Sequence, residues 1–155
     1  MYVVGAPGSG KSTAASPLRA FLPGSVVFDW DGLMGPAGTL AGADISETPA
    51  TWRTYGLLVR AVIDQILPTN IVLLGVCTPD ELSDWPEGRW LLLDCSDGER
   101  RTRLATRAGS EQIKYALEDA ADYRRLGLPV VDGTGLTPPE VASELARRIK
   151  PLLDW

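Results

Sequence analysis

A glycine-rich stretch near the start of the chain carries the residues best suited to bind an anion. Residues 5–12 read GAPGSGKS and fit the template G-x-x-x-x-G-K-[ST] at every fixed position. Glycines adopt backbone angles that are closed to other residues, so successive N–H groups can point at one phosphate. A helix that begins at Lys11 would add its unpaired N–H groups and its partial positive charge. The residues of this predicted phosphate cradle are Gly5, Pro7, Gly8, Ser9, Gly10, Lys11, Ser12 and Thr13.

Lys11 and Ser12 give the cradle a specific chemistry. A lysine at this position of the template reaches the β- and γ-phosphates of a nucleoside triphosphate, and the hydroxyl that follows it ligates Mg²⁺. An apolar segment, residues 2–4, precedes the motif, and a helical pattern follows it, as the motif requires. We therefore predict that the chain binds a nucleoside triphosphate with Mg²⁺ and that Lys11 takes part in catalysis.

Two carboxylates follow the second apolar segment, residues 25–29. Asp29 ends that segment, and Asp31 comes two positions later. Ligands of an open parallel sheet bind beyond the carboxyl ends of its strands, so both side chains are expected beside the phosphate cradle. Taken alone, two aspartates before a glycine are more typical of a turn. Beside a phosphate-binding motif, we favour two separate tasks in binding and catalysis.

Arginines cluster in the second half of the chain. Seven of the 15 basic residues lie between Arg100 and Arg125. Among them, Arg100, Arg103 and Arg107 are spaced i, i+3 and i+7, which places three guanidiniums along one face of a helix. Such a run is commonly a solvated helix face. In a chain with a phosphate cradle, we favour contact with phosphates instead.

Five short apolar segments alternate with helical patterns. The segments are residues 2–4, 25–29, 71–76, 90–94 and 128–132. The third is apolar throughout, as in a strand that is covered on both faces. This alternation predicts one three-layer α/β domain over residues 1–155, with a mainly parallel five-stranded sheet.

Local signals predict where the helices begin, end or fail to form. A proline opposes a regular helix interior, so the first helix is expected to kink or end early at Pro17. Residues 55–67 carry apolar side chains at helical spacing and predict a core-facing stripe. Capping boxes at Ser96–Glu99 and Thr137–Glu140 are typical of helix starts. Residues 33–50 are rich in Gly, Ala and Pro and are expected to be mobile.

Composition argues against several classes of protein. The net charge of −5 disfavours a general nucleic-acid surface. No apolar run approaches the ~20 residues of a membrane span, and the first residues do not resemble a secretion signal. Cys77 and Cys95 lack metal-ligand spacing and are expected to be free thiols of a cytoplasmic protein. The chain has no histidine, so no catalytic step can use an imidazole.

Together the motifs resemble those of the small P-loop kinases of the nucleotide-monophosphate kinase fold. That family includes adenylate, shikimate and gluconate kinases and chloramphenicol phosphotransferase. The resemblance is carried by the GAPGSGKS motif, the D-x-D of Asp29 and Asp31, the R-L-x-x-R of Arg103 and Arg107, and the D-G-T-G-L at residues 132–136. It implies ATP as the phosphoryl donor, with GTP left open, a sheet order of 2-3-1-4-5 and a short lid over the nucleotide.

The resemblance also implies roles for individual side chains. Asp29 would help Ser12 to hold Mg²⁺, and Asp31 would orient the acceptor hydroxyl and take its proton; which aspartate is the base stays open. Arg103 and Arg107 would lie in the lid, where they bind the triphosphate and assist its transfer. Looser lid candidates are Arg100, Arg124 and Arg125, and the residues expected against the nucleotide base are Gly133, Thr134 and Gly135.

The acceptor is defined mainly by what the sequence lacks. No Lys or Arg lies between Gly32 and Thr51, where a doubly anionic acceptor would need arginines. Arg53 and Arg60 of the next helical pattern could supply one or two contacts, and Arg53 is the substrate-binding candidate. We favour transfer to a hydroxyl of a neutral or cationic small molecule, such as a nucleoside, a sugar or an antibiotic-like metabolite, by a monomer or small homo-oligomer. A nucleotide-monophosphate kinase is the first alternative.

A regulatory NTP-binding protein, or an ATPase that drives a partner, is the second alternative. Such proteins commonly place an acid directly after the third strand. Here the nearest acid, Asp80, lies several residues beyond Val76. The sequence therefore favours a kinase over this class.

Overall fold

The computed structural model describes residues 1–153, which contain one five-stranded sheet. All five strands are parallel and follow the order β2-β3-β1-β4-β5, so the predicted order is confirmed. In chain order the elements are β1 (Tyr2–Val4), α1 (Lys11–Phe21), β2 (Ser25–Asp29), α2 (Trp30–Ala41), α3 (Pro49–Ile66), β3 (Asn70–Gly75), β4 (Trp90–Asp94), α4 (Asp97–Leu104), α5 (Ser110–Arg125), β5 (Val130–Asp132), α6 (Pro138–Ile149) and a 3₁₀ helix (Lys150–Leu152).

Two hydrophobic cores lie on opposite faces of the sheet. Val3 of β1 belongs to the core that includes α1 and α6, whereas its neighbour Tyr2 belongs to the core that includes α2 and α3. Consecutive strand residues point to opposite faces, so a sheet covered on both sides needs apolar residues at successive positions. This is why the strand segments show no polar alternation.

The first helix continues through its proline. α1 runs past Pro17 to Phe21, so the expectation of an early end is wrong. Leu18, in the last turn of the helix, and Leu22, directly after it, have no exposed surface. Their packing in the core outweighs the local cost of the missing proline N–H.

The Gly- and Pro-rich segment after β2 is partly helical, as α2, although the composition predicted no element there. Trp30 anchors the helix, because its buried ring packs edge-on against Tyr55 at 4.9 Å. The helix ends at Gly42, where φ is +64° and the next N–H, of Ala43, donates to the carbonyl of Gly38 at 3.1 Å. An added Cβ at Gly38 would lie 2.8 Å from the Ala43 carbonyl oxygen. The glycine content of this segment disfavours a helix, but Gly38 and Gly42 are needed where the helix ends.

The apolar stripe predicted for α3 is only partly buried. Tyr55, Val59 and Ile63 face the core at intervals of four residues. Leu58 and Val62 are 52% and 37% exposed, so the prediction of a fully core-facing stripe is wrong for them. The helix packs through one narrow seam, and residues beside that seam stay in contact with solvent.

The two predicted capping boxes form to different extents. At α6, the Thr137 N–H and Oγ1 both donate to Glu140 Oε2, at 2.8 and 2.6 Å, so the Glu140 half of the box forms. At α4, Ser96 Oγ accepts the N–H of Glu99 at 3.2 Å, but the Ser96 N–H donates to Thr134 Oγ1 at 2.8 Å. The Glu99 carboxylate is left to pair with Arg103 at 2.9 Å.

Within residues 1–153, no helix combines the length and the apolar character that crossing a membrane demands. Cys77 and Cys95 are free and buried, as predicted. This part of the chain also holds no cluster of three or more cysteine and carboxylate side chains that could bind a metal ion.

Candidate active site

The phosphate loop, residues 5–12, joins the end of β1 to the start of α1. Gly8 and Gly10 have φ angles of +81° and +100°, a region that favours glycine. Gly5 passes so close to β4 that an added Cβ would lie 2.5 Å from the Leu93 carbonyl oxygen. The path of the backbone therefore requires glycine at all three positions.

Lys11 lies folded against this loop. Only 4% of its surface is exposed, and Nζ donates to the carbonyl oxygens of Gly5 and, at 3.4 Å, of Ala6. Burial lowers the pKa of Lys11 to about 8, with Asp31 opposing the shift and Arg100 adding to it. Little water contacts this ammonium group. A phosphate that replaced the loop carbonyls as its partner would therefore form a strong, charge-assisted hydrogen bond with it.

Ser12, Asp29 and Asp31 bring oxygen ligands together beside the lysine. Ser12 Oγ donates to Asp29 Oδ1 at 3.2 Å, and Asp31 lines the same cleft as Lys11. Burial raises the pKa of Asp31, while the charge of Lys11 opposes this and that of Asp29 adds to it. The Ser12 hydroxyl and the Asp29 carboxylate are oxygen donors of the kind that suits Mg²⁺, so these two residues fit that ion.

Arg103 connects three parts of the site. Nε pairs with Glu99 at 2.9 Å, Nη1 donates to the Ser9 carbonyl at 3.1 Å, and Nη2 donates to the Gly133 carbonyl at 2.9 Å. Arg107 lines the cleft, is exposed and makes no ion pair in the described part of the chain. The structure thus brings both R-L-x-x-R arginines to the cleft, with Arg103 in contact with the phosphate loop.

The three looser lid candidates are engaged elsewhere. Arg100 is fully buried and pairs with Asp94 at 2.5 Å. Arg124 binds the same carboxylate through Nε at 2.6 Å, and this hydrogen bond raises the pKa of Arg124. Arg125 pairs with Asp122. None of the three lines the cleft.

A cleft of about 640 Å³ connects the candidate residues. The phosphate loop and Asp31 line one part of it, and Arg103 and Arg107 line another. Its apolar wall is formed by Leu104, Leu136, Pro138 and Val141. A charged region next to an apolar wall suits a nucleotide, whose phosphates and base need opposite surroundings.

The turn predicted to lie against the nucleotide base contributes less than expected. Residues 133–135 do not line the cleft, whereas Leu136, the next residue, does. Thr134 is turned towards the sheet edge, where its N–H and Oγ1 donate to Asp132 Oδ1 at 2.9 and 2.6 Å. Val141 was missed as a wall residue, because its helical spacing also fits the core to which it belongs.

Arg53 is not brought to the cleft. It is exposed on α3, two residues from Tyr55, whose ring faces the core. Residues two apart on a helix point in nearly opposite directions. Arg60, the other basic residue of α3, pairs with Asp64 at 3.1 Å and donates to the carbonyl of Asp84.

The region between α5 and the end of β3 is acidic. Tyr123 of α5 donates its hydroxyl to the Val76 carbonyl at 2.5 Å. Burial raises the pKa of Tyr123, and the charges of Asp119, Glu81 and Asp31 add to this shift. The charges of these three carboxylates act on this phenol, and one of them is Asp31, to which the resemblance gave the acceptor hydroxyl.

No protein-family model and no curated protein sequence matches the chain. Solved structures do match it over nearly their whole lengths. A tunicamycin resistance protein of Deinococcus radiodurans is similar with a TM-score of 0.70 and 18% identity, over 96% of this chain and 94% of that one. Shikimate kinase from Aquifex aeolicus gives 0.64 and 19%, over 97% and 95%. Thymidylate kinase from Candida albicans gives 0.60 and 17%, over 97% and 90%. The chain therefore has the fold of the P-loop kinases.

Proposed function

We propose that this protein is an ATP-dependent phosphotransferase that moves the γ-phosphoryl group of ATP to a hydroxyl of an uncharged or cationic small molecule. The observation that carries the proposal is a single cleft lined by the phosphate loop together with Lys11, Asp31 and Arg103. Phosphoryl transfer needs positioning and charge neutralisation more than covalent chemistry. The P-loop kinase fold supports the same reaction class.

The cationic side chains would act on the triphosphate. Lys11 would exchange its loop carbonyls for oxygens of the β- and γ-phosphates. Arg103, already at the loop, would stabilise charge that develops on the transferred group, and the exposed Arg107 would close over it. Ser12 and Asp29 would hold Mg²⁺, which when bound neutralises part of the phosphate charge.

Asp31 is the residue we assign to the acceptor. Asp29 is engaged with Ser12, which leaves Asp31 as the carboxylate free to accept a hydrogen bond from a hydroxyl. Burial raises the pKa of Asp31, and a carboxylate with a raised pKa is a better proton acceptor near neutral pH. It would take the hydroxyl proton as the new O–P bond forms.

The charge of the acceptor follows from the groups on the side of Tyr123. There Glu81, Asp119 and Asp31 add negative charge, whereas Arg53 is exposed on α3 and Arg60 pairs with Asp64. A nucleotide monophosphate would bring two further negative charges with no arginine to receive them. An uncharged or cationic hydroxyl compound avoids that repulsion.

The test is ATP turnover by the purified chain, with and without pools of hydroxyl compounds grouped by charge. We expect slow hydrolysis of ATP alone and faster turnover with an uncharged or a cationic pool. Lys11→Met serves as the inactive control. Stimulation by nucleotide monophosphates only would favour the nucleotide-kinase alternative. Rapid hydrolysis that no pool changes would favour an ATPase.

A further inference from the structure

Arg100 is a buried charge that the proposed reaction does not use. Its side chain has no exposed surface, and its Nε has no hydrogen-bond partner within residues 1–153. A buried charge is costly unless it is paired and fully hydrogen-bonded. Asp94 supplies the pair, but apolar side chains of similar volume often stabilise a core as well as a buried ion pair. The guanidinium at this position therefore points to a role beyond stability.

The same guanidinium contacts the phosphate loop. Nη1 donates to the carbonyl oxygens of Pro7 at 2.6 Å and of Ala6 at 3.3 Å. The aliphatic stem packs beneath Gly8, where an added Cβ would lie 3.0 Å from Arg100 Cγ. Gly8 lines the cleft and Arg100 does not. Arg100 therefore holds the loop from its buried side.

A carbonyl held on one side of the loop directs the next N–H to the other side. In a trans peptide, the C=O of one residue and the N–H of the next point in opposite directions. The loop peptides are trans. With the Pro7 carbonyl drawn to the buried side by Arg100, the N–H of Gly8 points towards the cleft, where it has no acceptor in the described part of the chain.

The Ala6 carbonyl is shared by two cations. Lys11 Nζ lies 3.4 Å from this oxygen and Arg100 Nη1 lies 3.3 Å from it. When Lys11 turns to a phosphate, Arg100 Nη1 remains on this oxygen together with the N–H of Ser9, which donates to it at 3.1 Å. We propose that Arg100 is a positioning residue of the phosphate loop, which holds the carbonyls of Ala6 and Pro7 so that the Gly8 N–H stays directed at the phosphate. The inference rests on the proposed function in one respect: the ligand of the loop is a phosphate chain.

Asp94, the partner of Arg100, also pairs with an arginine of α5. Because of this second partner, Arg100 can be replaced without leaving Asp94 unpaired. The Oδ2 of Asp94 accepts Nε of Arg124 at 2.6 Å, and Arg124 also pairs with Asp97 at 2.9 Å. Removing the Arg100 guanidinium therefore leaves Asp94 paired. A methionine at position 100 retains much of the apolar stem that packs beneath Gly8, so the variant is expected to fold.

Inorganic tripolyphosphate is the probe, because it tests the loop without a base or an acceptor. In Arg100→Met we expect its calorimetric affinity to fall about tenfold or more, as for a lost hydrogen bond to a charged group. Arg100→Lys, which keeps the charge but not the two-carbonyl contact, should lose less. The control is Arg101→Met, at the exposed neighbouring position, and its tripolyphosphate affinity should be unchanged. In the ligand-free protein, the Gly8 amide signal in an ¹⁵N–¹H spectrum should move in Arg100→Met and stay in place in Arg101→Met.

Parent-like tripolyphosphate affinity in Arg100→Met, with an unmoved Gly8 signal, would overturn the inference and leave Arg100 a partner of Asp94 only. If the parent binds no tripolyphosphate, the proposed function fails, and the Gly8 signal alone decides: a shift supports the positioning role and no shift overturns it. Circular dichroism shows whether Arg100→Met folds. If it does not, Arg100→Lys carries both measurements, with the same two outcomes.

Discussion

The two sides of the cleft are held by different forces. On the nucleotide side, charged side chains bind backbone atoms, and Arg103 alone bonds to both the phosphate loop and the turn after β5. On the side proposed for the acceptor, Trp30 of α2 packs against aromatic rings of α3 and of the segment between β3 and β4. Trp30 contacts Tyr55 and Trp85 at ring distances of 4.9 and 6.0 Å. The first side is fixed mainly by directional polar contacts. The second is fixed mainly by aromatic packing, to which Tyr55 adds one hydrogen bond.

This difference indicates where specificity lies. Polar contacts to a backbone loop set one geometry, and a triphosphate needs the same geometry whatever the acceptor is. Apolar packing sets the position of whole helices, so a change in a few side chains can shift α2 relative to α3. If the proposed reaction is correct, we infer that the nucleotide side would serve many different acceptors and that the acceptor side would select one of them.

The largest expected effect is that of Asp31→Asn. The substitution keeps the size of the side chain but removes its basic oxygen, so phosphoryl transfer should fall by about 10²–10⁴-fold, the range for loss of a general base. MgATP affinity should change little, because Asp31 is assigned to the acceptor. The measurement is kcat with the acceptor found in the pool assay, beside the dissociation constant for MgATP.

Asp29→Asn is the matched control for that prediction. It should raise the Mg²⁺ concentration needed for activity, because Ser12 and Asp29 are the proposed metal ligands. If both variants show the same metal defect and neither an acceptor-specific one, the two aspartates are not divided between donor and acceptor.

Arg103→Met should have the next largest effect. Loss of its charge-assisted contacts should lower kcat by about 10-fold to 100-fold, and by more than it weakens ground-state ATP binding. Arg101→Met, an exposed position on the same helix, is the control. A rise in KM for ATP at constant kcat would place Arg103 in binding alone.

The nucleotide side also predicts a pH dependence. In the ligand-free chain, burial lowers the pKa of Lys11 to about 8. The carboxylates of Asp31 and Asp29 oppose this shift, and the charges of Arg100 and Arg107 add to it. Bound phosphates raise this pKa, so above pH 8 binding takes up a proton and affinity falls as pH rises, by at most about tenfold per unit. Below pH 8 this group contributes no slope.

Titration calorimetry of ATP between pH 8 and pH 10 measures that slope. Lys11→Met has no ammonium to protonate and should bind weakly with a flat profile across the same range. An equal slope in the parent and in Lys11→Met would assign the pH dependence to another group.

The smallest effect is expected on the acceptor side. Tyr55 Oη donates to the Trp30 carbonyl at 2.5 Å, and this bond joins α3 to the start of α2. Tyr55→Phe removes this hydrogen bond and should lower the free energy of unfolding by about 1 kcal/mol, without changing ATP affinity. Urea unfolding and ATP titration of the variant check both parts. A loss of ATP affinity would show that the two sides are coupled.

The same difference between polar and apolar contacts explains which features could be predicted from the sequence. The loop and the placement of Asp29, Asp31 and Arg103 followed from motifs whose chemistry is local, whereas the sheet order followed from the family resemblance that these motifs carry. The helix α2 was missed, because its stability comes from Trp30 and from a glycine-based helix end, which composition reads as disorder.

Arg100 shows the limit most clearly. Its spacing groups it with Arg103 and Arg107, yet it lies beneath the loop while they line the cleft. Its ion-pair partner Asp94 is close in sequence, but the loop carbonyls of Ala6 and Pro7 follow β1, so only the folded sheet brings Arg100 to them. Spacing along a helix predicts a shared face but not the partner that this face meets.

The most direct test of the account is a calorimetric titration of MgATP into the parent and into Lys11→Met. We expect the parent to bind one MgATP and Lys11→Met to lose about 10-fold to 100-fold in affinity, as for a charge-assisted contact, while keeping the parent's circular dichroism spectrum. Lys114→Met, at an exposed lysine of α5, should bind as the parent does. Equal MgATP affinity in the parent and Lys11→Met, or no binding by the parent, would contradict the claim that this loop is the nucleotide site.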